Sequence, residues 1–338
     1  EHGSLSFLLS TGILTVFLVL LFFLSFMIGT YPINAGTVWD VLRSSFMNVT
    51  PYWESAAEKV IFQVRIPRIL LAVFTGGTLA VSGASYQTLF KNPMVSPDLL
   101  GVSAGAGFGA ALAMIFDGNW SEIQLSSLVF GLLAVVLTYG LASACGKAEI
   151  TSLVLSGMVL SSLFQALLSV VKTYADTDSQ LPSITFWLMG SLGKGDMADV
   201  SLMIPASLVC LAVLFLLRNQ IDVLSTGEED AAALGVNVRL ISLAVILCST
   251  FMTVISVSIC GMIGWVGLVV PHIARLFTGA RYSRLITISF LIGSAFLLLI
   301  DNVIRGISSV ELPLGVLTAL IGTPVFAILL LRSRKGGQ

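Results

Sequence analysis

The sequence predicts an all-α polytopic membrane protein, with about ten transmembrane helices, a short outer half-helix and short helices on the inner side. Three observations carry this. First, only 10% of the 338 residues are charged and 56% are hydrophobic, whereas a soluble domain carries about 25% charged residues. Second, the mean hydropathy is +0.99. Third, uncharged runs recur at or near the length of about 20 residues that a helix needs to cross a bilayer. So few charges cannot cover a water-facing globule, which excludes a cytosolic enzyme. A net charge of -1 gives no overall field for nucleic acid.

The uncharged runs are 2–39, 69–90, 99–116, 123–146, 150–171, 179–193, 200–217, 240–274, 285–300 and 312–331. Residues 1–4 read as a tag remnant, and 5–335 as a single membrane domain. The first span, about Phe7–Thr30, is too long for a signal-peptide core and lacks a basic start, so it is expected to stay as an anchor. The run 179–193 contains Pro182, Gly190 and Gly193 and reads as a half-helix, roughly Ser183–Gly190. The run 240–274 is too long for one crossing. Gly261, Gly264, Gly267 and Pro271 divide it into two, about 239–260 and 264–278. Gly101, Gly105 and Gly109 recur at small-xxx-small spacing, and Thr75-Gly76-Gly77 with Gly83 and Ala84 does the same in the second span. Such spacing lets helix backbones touch in lipid.

With the N-terminus inside, ten Lys and Arg fall in inner loops and seven in outer ones, while acids divide seven to eleven the other way. The basic cluster at 275–284 and the C-terminal Arg332-Ser-Arg334-Lys335 set this orientation, with both termini cytoplasmic.

Almost every charge lies at a predicted span end. An ion-coupled carrier needs charged partners at mid-membrane, so a self-powered secondary transporter has little to work with, and an external energy source is expected. The chain lacks a P-loop. The nearest match, Gly140 to Gly146-Lys147-Ala148, has one residue too many and no hydroxyl after the lysine. ATP and magnesium chemistry is therefore expected on a partner, with no cofactor bound by this chain. Cys145, Cys210, Cys248 and Cys260 form no C-x-x-C pair and read as buried, inert thiols, so no metal site is assigned. His272 reads as structural, and Met158, Met189 and Met262 as packing residues. Asn48-Val-Thr50 and Asn119-Trp-Ser121 match glycosylation sequons without functional weight. An intramembrane enzyme would need paired acids or a Ser-His pair at bilayer depth, which the spans do not supply.

The inner loop 219–238 is the most informative segment. Thr226 is placed to cap a helix whose first turn holds Glu228, Glu229 and Asp230, and Gly235 is placed to stop it. The result is a small-faced knob outside the membrane.

This loop resembles the cytoplasmic coupling helices of FecCD-type permeases, the transmembrane subunits of importers for ferric siderophores, haem, cobalamin and sometimes molybdate or tungstate. Other segments agree in order and spacing. They are Arg65-Ile-Pro-Arg68, Gln87-Thr-Leu-Phe-Lys-Asn-Pro93, Ser96-Pro97-Asp98-Leu-Leu-Gly101, Gly267-Leu-Val-Val-Pro-His-Ile-Ala-Arg275, Glu311-Leu-Pro-Leu-Gly315 and Gly322-Thr-Pro-Val-Phe326. The resemblance implies a bacterial inner-membrane permease that works as a homodimer. Two cytoplasmic ATPase subunits would drive it, and a periplasmic or lipid-anchored binding protein would feed it. It implies that Arg65, Arg68 and Arg305 at the outer mouth meet carboxylates of the binding protein. It also implies that Gly227, Glu228, Ala232, Leu234 and Gly235 meet the ATPase. Thr151 and Ser152 match a cytoplasmic gate, and Ser156, Ser161 and Gln165 are candidates to line the pathway.

Overall fold

The computed structural model describes residues 2–47, 50–145, 150–307 and 312–335. Asn48, Gly146, Lys147, Ala148 and Glu311 lie outside the described residues. The chain runs through α1 (His2–Ser25), α2 (Ala35–Ser44) and α3 (Ser55–Lys59), then through a π-turn (Val60–Arg65) into α4 (Ile66–Leu89). A 3-10 turn (Pro97–Leu100) leads to α5 (Val102–Ile115), α6 (Trp120–Ala144), α7 (Ile150–Tyr174), α8 (Gln180–Leu188) and α9 (Met197–Leu216). Two short helices, α10 (Arg218–Thr226) and α11 (Glu228–Ala233), precede α12 (Val238–Cys260), α13 (Val266–Thr278), α14 (Tyr282–Ile307) and α15 (Leu314–Lys335).

Seven of the described helices are long and apolar enough to cross a membrane, and three shorter apolar ones occupy the remaining predicted crossings. The chain is thus a multi-pass, all-helical membrane protein. The short runs read from the sequence at 99–116 and 264–278 are short helices here too. A helix of 13 residues such as α13 rises about 20 Å, less than the ~30 Å of a hydrocarbon core. Non-helical backbone completes its path. Gly261 (φ +71°) and Gly190 (φ +75°) let residues 187–191 and 260–263 meet backbone to backbone. A Cβ on Gly261 would lie 2.3 Å from the Trp187 carbonyl oxygen. Ser191 N donates to Cys260 O (2.8 Å), and Leu314 N and Gly315 N donate to Gly190 O and Met189 O (3.0 and 2.9 Å). Irregular backbone at this depth is tolerated because protein surrounds and satisfies it.

Four boundary expectations are corrected. The first helix ends at Ser25 rather than near Thr30, and a turn around Gly29 follows. The half-helix is Gln180–Leu188, so Pro182 falls in its first turn, where no intrahelical N–H is required. Its entry is tied down by Gln180 Nε2, which donates to Asp117 Oδ1 (3.0 Å) and Ile115 O (3.3 Å). Hydrogen bonds from the Ser179 hydroxyl and amide hold Asp176 just before it below the ordinary carboxylate range. Thr226 does not cap α11. It closes α10, its hydroxyl donating back to Val223 O (2.8 Å). Cys145 is exposed, because it follows the last turn of α6 instead of sitting inside it.

The helix α4 is the axis of the bundle. Its membrane window is 83% buried, against 6% for α1 at the periphery. Between helices in lipid no hydrophobic gradient drives association, so close packing must do so. The glycines predicted to permit contact are the contact points. A Cβ on Gly76 would lie 2.2 Å from Gly293 O on α14, and one on Gly83 would lie 1.8 Å from Gly267 O on α13. Gly105 and Gly109 bring α5 equally close to Phe130 O and Ser126 O of α6. Hydroxyls join α4 to α12: Thr78 to Ser256 (3.1 Å), Ser82 to Ser249 O (3.1 Å) and Tyr86 to Thr250 (2.6 Å).

Adding one methyl group to this seam tests it. Gly83→Ala is expected to lower stability by about 1–3 kcal/mol through overpacking. Gly12→Ala on α1, with nothing within 4 Å, is expected to be neutral or slightly stabilising. Thermal transitions of the two variants in detergent should therefore move apart, and equal shifts would contradict α4 as the packing axis.

Candidate functional sites at the two ends of the bundle

At one end, the predicted arginines converge. Pro67 has no N–H to donate to the residue four back. The helix relaxes into the π-turn, and Ile66 N donates to Ile61 O, five residues back. Arg65, in that turn, is 3% exposed, and its guanidinium donates to Phe26 O and Tyr31 O. Arg305 donates to Ser25 O (3.1 Å) and Ile28 O (2.9 Å). Two arginines therefore satisfy the last carbonyl of α1, at Ser25, and those of Phe26, Ile28 and Tyr31 in the chain that follows, where the helix dipole favours positive charge. Between Arg68 and Arg305 lies Asp301, with no exposed side-chain surface. Its Oδ1 accepts from Arg68 Nε at 2.8 Å, and its Oδ2 lies 2.8 Å from Arg305 Nε, an ion pair out of line for a hydrogen bond. Asn302 donates to Ser25 Oγ (2.7 Å) and fastens α14 to α1.

The three arginines, the 28–31 turn, Val60, Val64 and Ile304 line a cleft of about 240 Å³. Three guanidiniums against one carboxylate leave two formal positive charges in excess there. At its edge the Tyr31 hydroxyl donates to Glu54 (3.0 Å), and this bond pushes the phenol pKa up.

At the opposite end, α10 buries Ile221 and Leu224, and α11 buries Ala231. The chain turns at Gly235 (φ +81°). Gly235 N donates to Ala232 O and Val236 N to Ala231 O (both 3.0 Å), the paired bonds of a glycine-stopped helix end. The tip of this knob shows Glu228, Ala232 and Gly235 on the surface, with Leu234 72% exposed, while Gly227 is half-buried. The knob is anchored from below. Asp222 on α10 accepts from Tyr282 N and from Ser283 N (3.2 Å), the first amides of α14. Nearby, Arg275 donates to Gln87 Oε1 (2.6 Å), and Gln87 donates to Val95 O (3.1 Å), holding the loop after α4 against α13.

The five candidate gate and pathway residues on α7 do not share one face. Thr151 and Gln165 are exposed, and Ser152 is half-buried. Ser156 is 5% exposed, and Ser161 packs at Gly101, whose added Cβ would lie 3.2 Å from its Oγ. The open face of α7 carries Thr151 and Gln165 together with Leu155, Met158, Val159, Ser162 and Ser169, and the last two serines donate to their own helix four residues back. His272 is held by its own helix, with Nδ1 3.0 Å from Leu268 O and its ring edge-on to Phe326.

Sequence reasoning gave no role to Asp301 or Asp222. For Asp301 a signal was available: an acid at the end of an apolar run, four residues before an arginine on the same helix face. For Asp222 there was none, because its partners are backbone amides about sixty residues away.

The family model described as the FecCD transport family matches residues 17–332. The molybdate import system permease protein MolB of Haemophilus influenzae is 36% identical over 327 residues, 96% of either chain. The hemin transport system permease protein HmuU of Yersinia pestis is 34% identical over 336 residues, 97% of this chain and 96% of that one. A solved structure described as an inward-facing conformation of a metal-chelate type ABC transporter is 36% identical. It superposes with a TM-score of 0.85 and covers 95% of this chain and 98% of its own. The chain belongs to the FecCD transport family.

Proposed function

We propose that this permease moves a metal chelate, a ferric siderophore or haem, inward across the bacterial inner membrane by alternating access. Two copies form the pathway, with the open face of α7 as the surface left for the second copy. ATP is bound and hydrolysed on two separate cytoplasmic subunits, and a periplasmic or lipid-anchored binding protein delivers the cargo. The termini and the 219–238 loop are on the cytoplasmic side.

The observation that carries this reading is the pairing of opposite ends. One end offers an exposed Ala232–Gly235 tip whose Leu234 is 72% exposed. Leaving a leucine in water forgoes about 1.5–3 kcal/mol of burial energy, which a cleft on a partner recovers. The other end offers an arginine-lined cleft suited to carboxylates, which guanidiniums bind as a fork. The spread of relatives, one named for molybdate and one for hemin, leaves the cargo to be read by uptake. Vesicles holding this chain, its ATPase and its binding protein are expected to accumulate ferric siderophore or haem on adding ATP. Cobalamin and molybdate form the comparison arms, and accumulation of either in their place would replace the cargo. Accumulation by this chain alone would overturn the importer reading.

Two variant sets probe the ends separately. Ala232→Trp and Leu234→Glu alter exposed side chains, so the fold is retained while transport falls about tenfold or more, the loss expected of a central contact. Normal uptake in both would remove the knob from the ATPase contact. Gly235 is a poorer probe, because its positive φ strains any side chain placed there. At the outer end Arg68→Gln keeps a donor for Asp301 while removing charge. It is expected to slow binding-protein association about tenfold and to flatten its salt dependence. Arg65→Ala instead leaves Phe26 O and Tyr31 O without donors, so a lowered thermal transition is expected from it as well.

A further inference from the structure

We infer that Asp222 is the positioning residue that fastens the ATPase-facing loop to α14, and that α14 is the strut linking that loop to the outer arginine cleft. This rests on the importer reading above and adds to it a specific path and residue.

One helix touches both sites. Its first residue, Tyr282, and the next, Ser283, give their backbone amides to the Asp222 carboxylate. Asp222 lies on α10, which packs through Ile221 and Leu224 beside α11 and the exposed tip. These amides are free donors at a helix start, and the carboxylate also meets the positive end of the dipole. The attachment is therefore a charged cap supplied by a different element. Directly above it, the fully buried Tyr282 bonds Ser85 on α4 through its hydroxyl (2.7 Å). Mid-helix, Gly293 and Gly76 hold α14 and α4 in backbone contact. Near the far end, Asp301 holds Arg68 and Arg305, and Asn302 holds Ser25.

The helix has 26 residues without a proline, so it spans about 39 Å as one rigid element. It is pinned at the bottom by Asp222 and at the top by the arginines. The inner pin is the adjustable one. Beside Ile221 and Leu224, which share one buried cluster with Tyr282 and Ile286, it rests on two hydrogen bonds to a half-buried side chain, whereas the middle and top are closed by backbone contact and buried charge. A displacement of the knob therefore pulls on α14 through Asp222, and a displacement at the arginines pushes on the knob by the same route, as reciprocity requires. A path of this kind is established only by measuring coupling.

The experiment uses the complete transporter in nanodiscs with Asp222→Ala, Asp222→Asn and, as a control on the same helix start, Tyr282→Phe. In the chain without partners, amide exchange at Tyr282 and Ser283 is expected to rise about fivefold or more in Asp222→Ala, the loss of a helix cap, and less in Asp222→Asn, which keeps one acceptor. With partners present, Asp222→Ala is expected to keep basal ATP hydrolysis and binding-protein affinity. The factor by which the docked binding protein stimulates hydrolysis should drop about fivefold or more, with Asp222→Asn between it and the wild type. Tyr282→Phe should leave that factor near wild type. Proportional loss of basal and stimulated rates would make Asp222 merely structural and overturn the proposal. So would faster exchange with an unchanged stimulation factor. If the wild-type chain binds no ATPase at all, the importer reading fails and the proposal fails with it, whatever the exchange data show.

Discussion

Backbone contact along α4 is the constraint on which the rest of the structure depends. In lipid a leucine gains little by turning from a tail to a neighbouring helix, so the bundle is held by proximity and by hydrogen bonds between helices. Gly76 against Gly293 and Gly83 against Gly267 bring three helices to a separation at which no side chain fits between them. That closeness brings the hydroxyls of Thr78, Ser82 and Tyr86 within reach of α12. It also fixes the register of α14, and with it the heights of Tyr282 and Asp301. The two ends of the molecule are positioned by this one seam.

The arginine cluster shows how such a bundle tolerates charge. Burying an ion pair costs several kcal/mol per ion unless every remaining donor and acceptor is met. Here part of the cost is offset by structure that needs the donors, while Asp301 Oδ2 and Arg305 Nε are paired by charge without a hydrogen bond. Arg65 and Arg305 close the carbonyl end of α1, and Asp301 orients Arg68 and Arg305. The same groups that complete a helix end also leave an excess of positive charge facing a cleft. An exposed apolar tip occupies the opposite end, where no buried charge is required. The two surfaces thus differ, one lined by arginines and the other showing Leu234 beside the exposed acids Glu228, Glu229 and Asp230.

Much was legible from the residues. The absence of charge from long runs identified the membrane, and the glycine pattern identified the helix contacts. Glu228–Gly235 announced a short acidic-started, glycine-stopped helix outside the bilayer. The arginines at 65, 68 and 305 were legible as a group only through a family resemblance, since Arg305 is more than two hundred residues from the other two. The gate and pathway candidates on α7 share one helix, and the structure distributes them around it. Periodicity states which residues share a side of a helix, but not which side meets a neighbour. Ser156 is turned into the fold, and Ser161 packs at Gly101.

What the sequence determined by itself is therefore local and solvent-driven: which segments are helical, which dissolve in lipid, where a glycine or proline interrupts them. These follow from hydrophobicity and backbone stereochemistry, properties of short stretches. Tertiary structure alone decided that α13 is completed by a backbone knot, that Asp301 sits between two arginines, and that Asp222 caps a helix sixty residues away. Each depends on the distance between atoms far apart in the chain. Those distances are set by how closely α4 lets its neighbours approach, and no single segment encodes that.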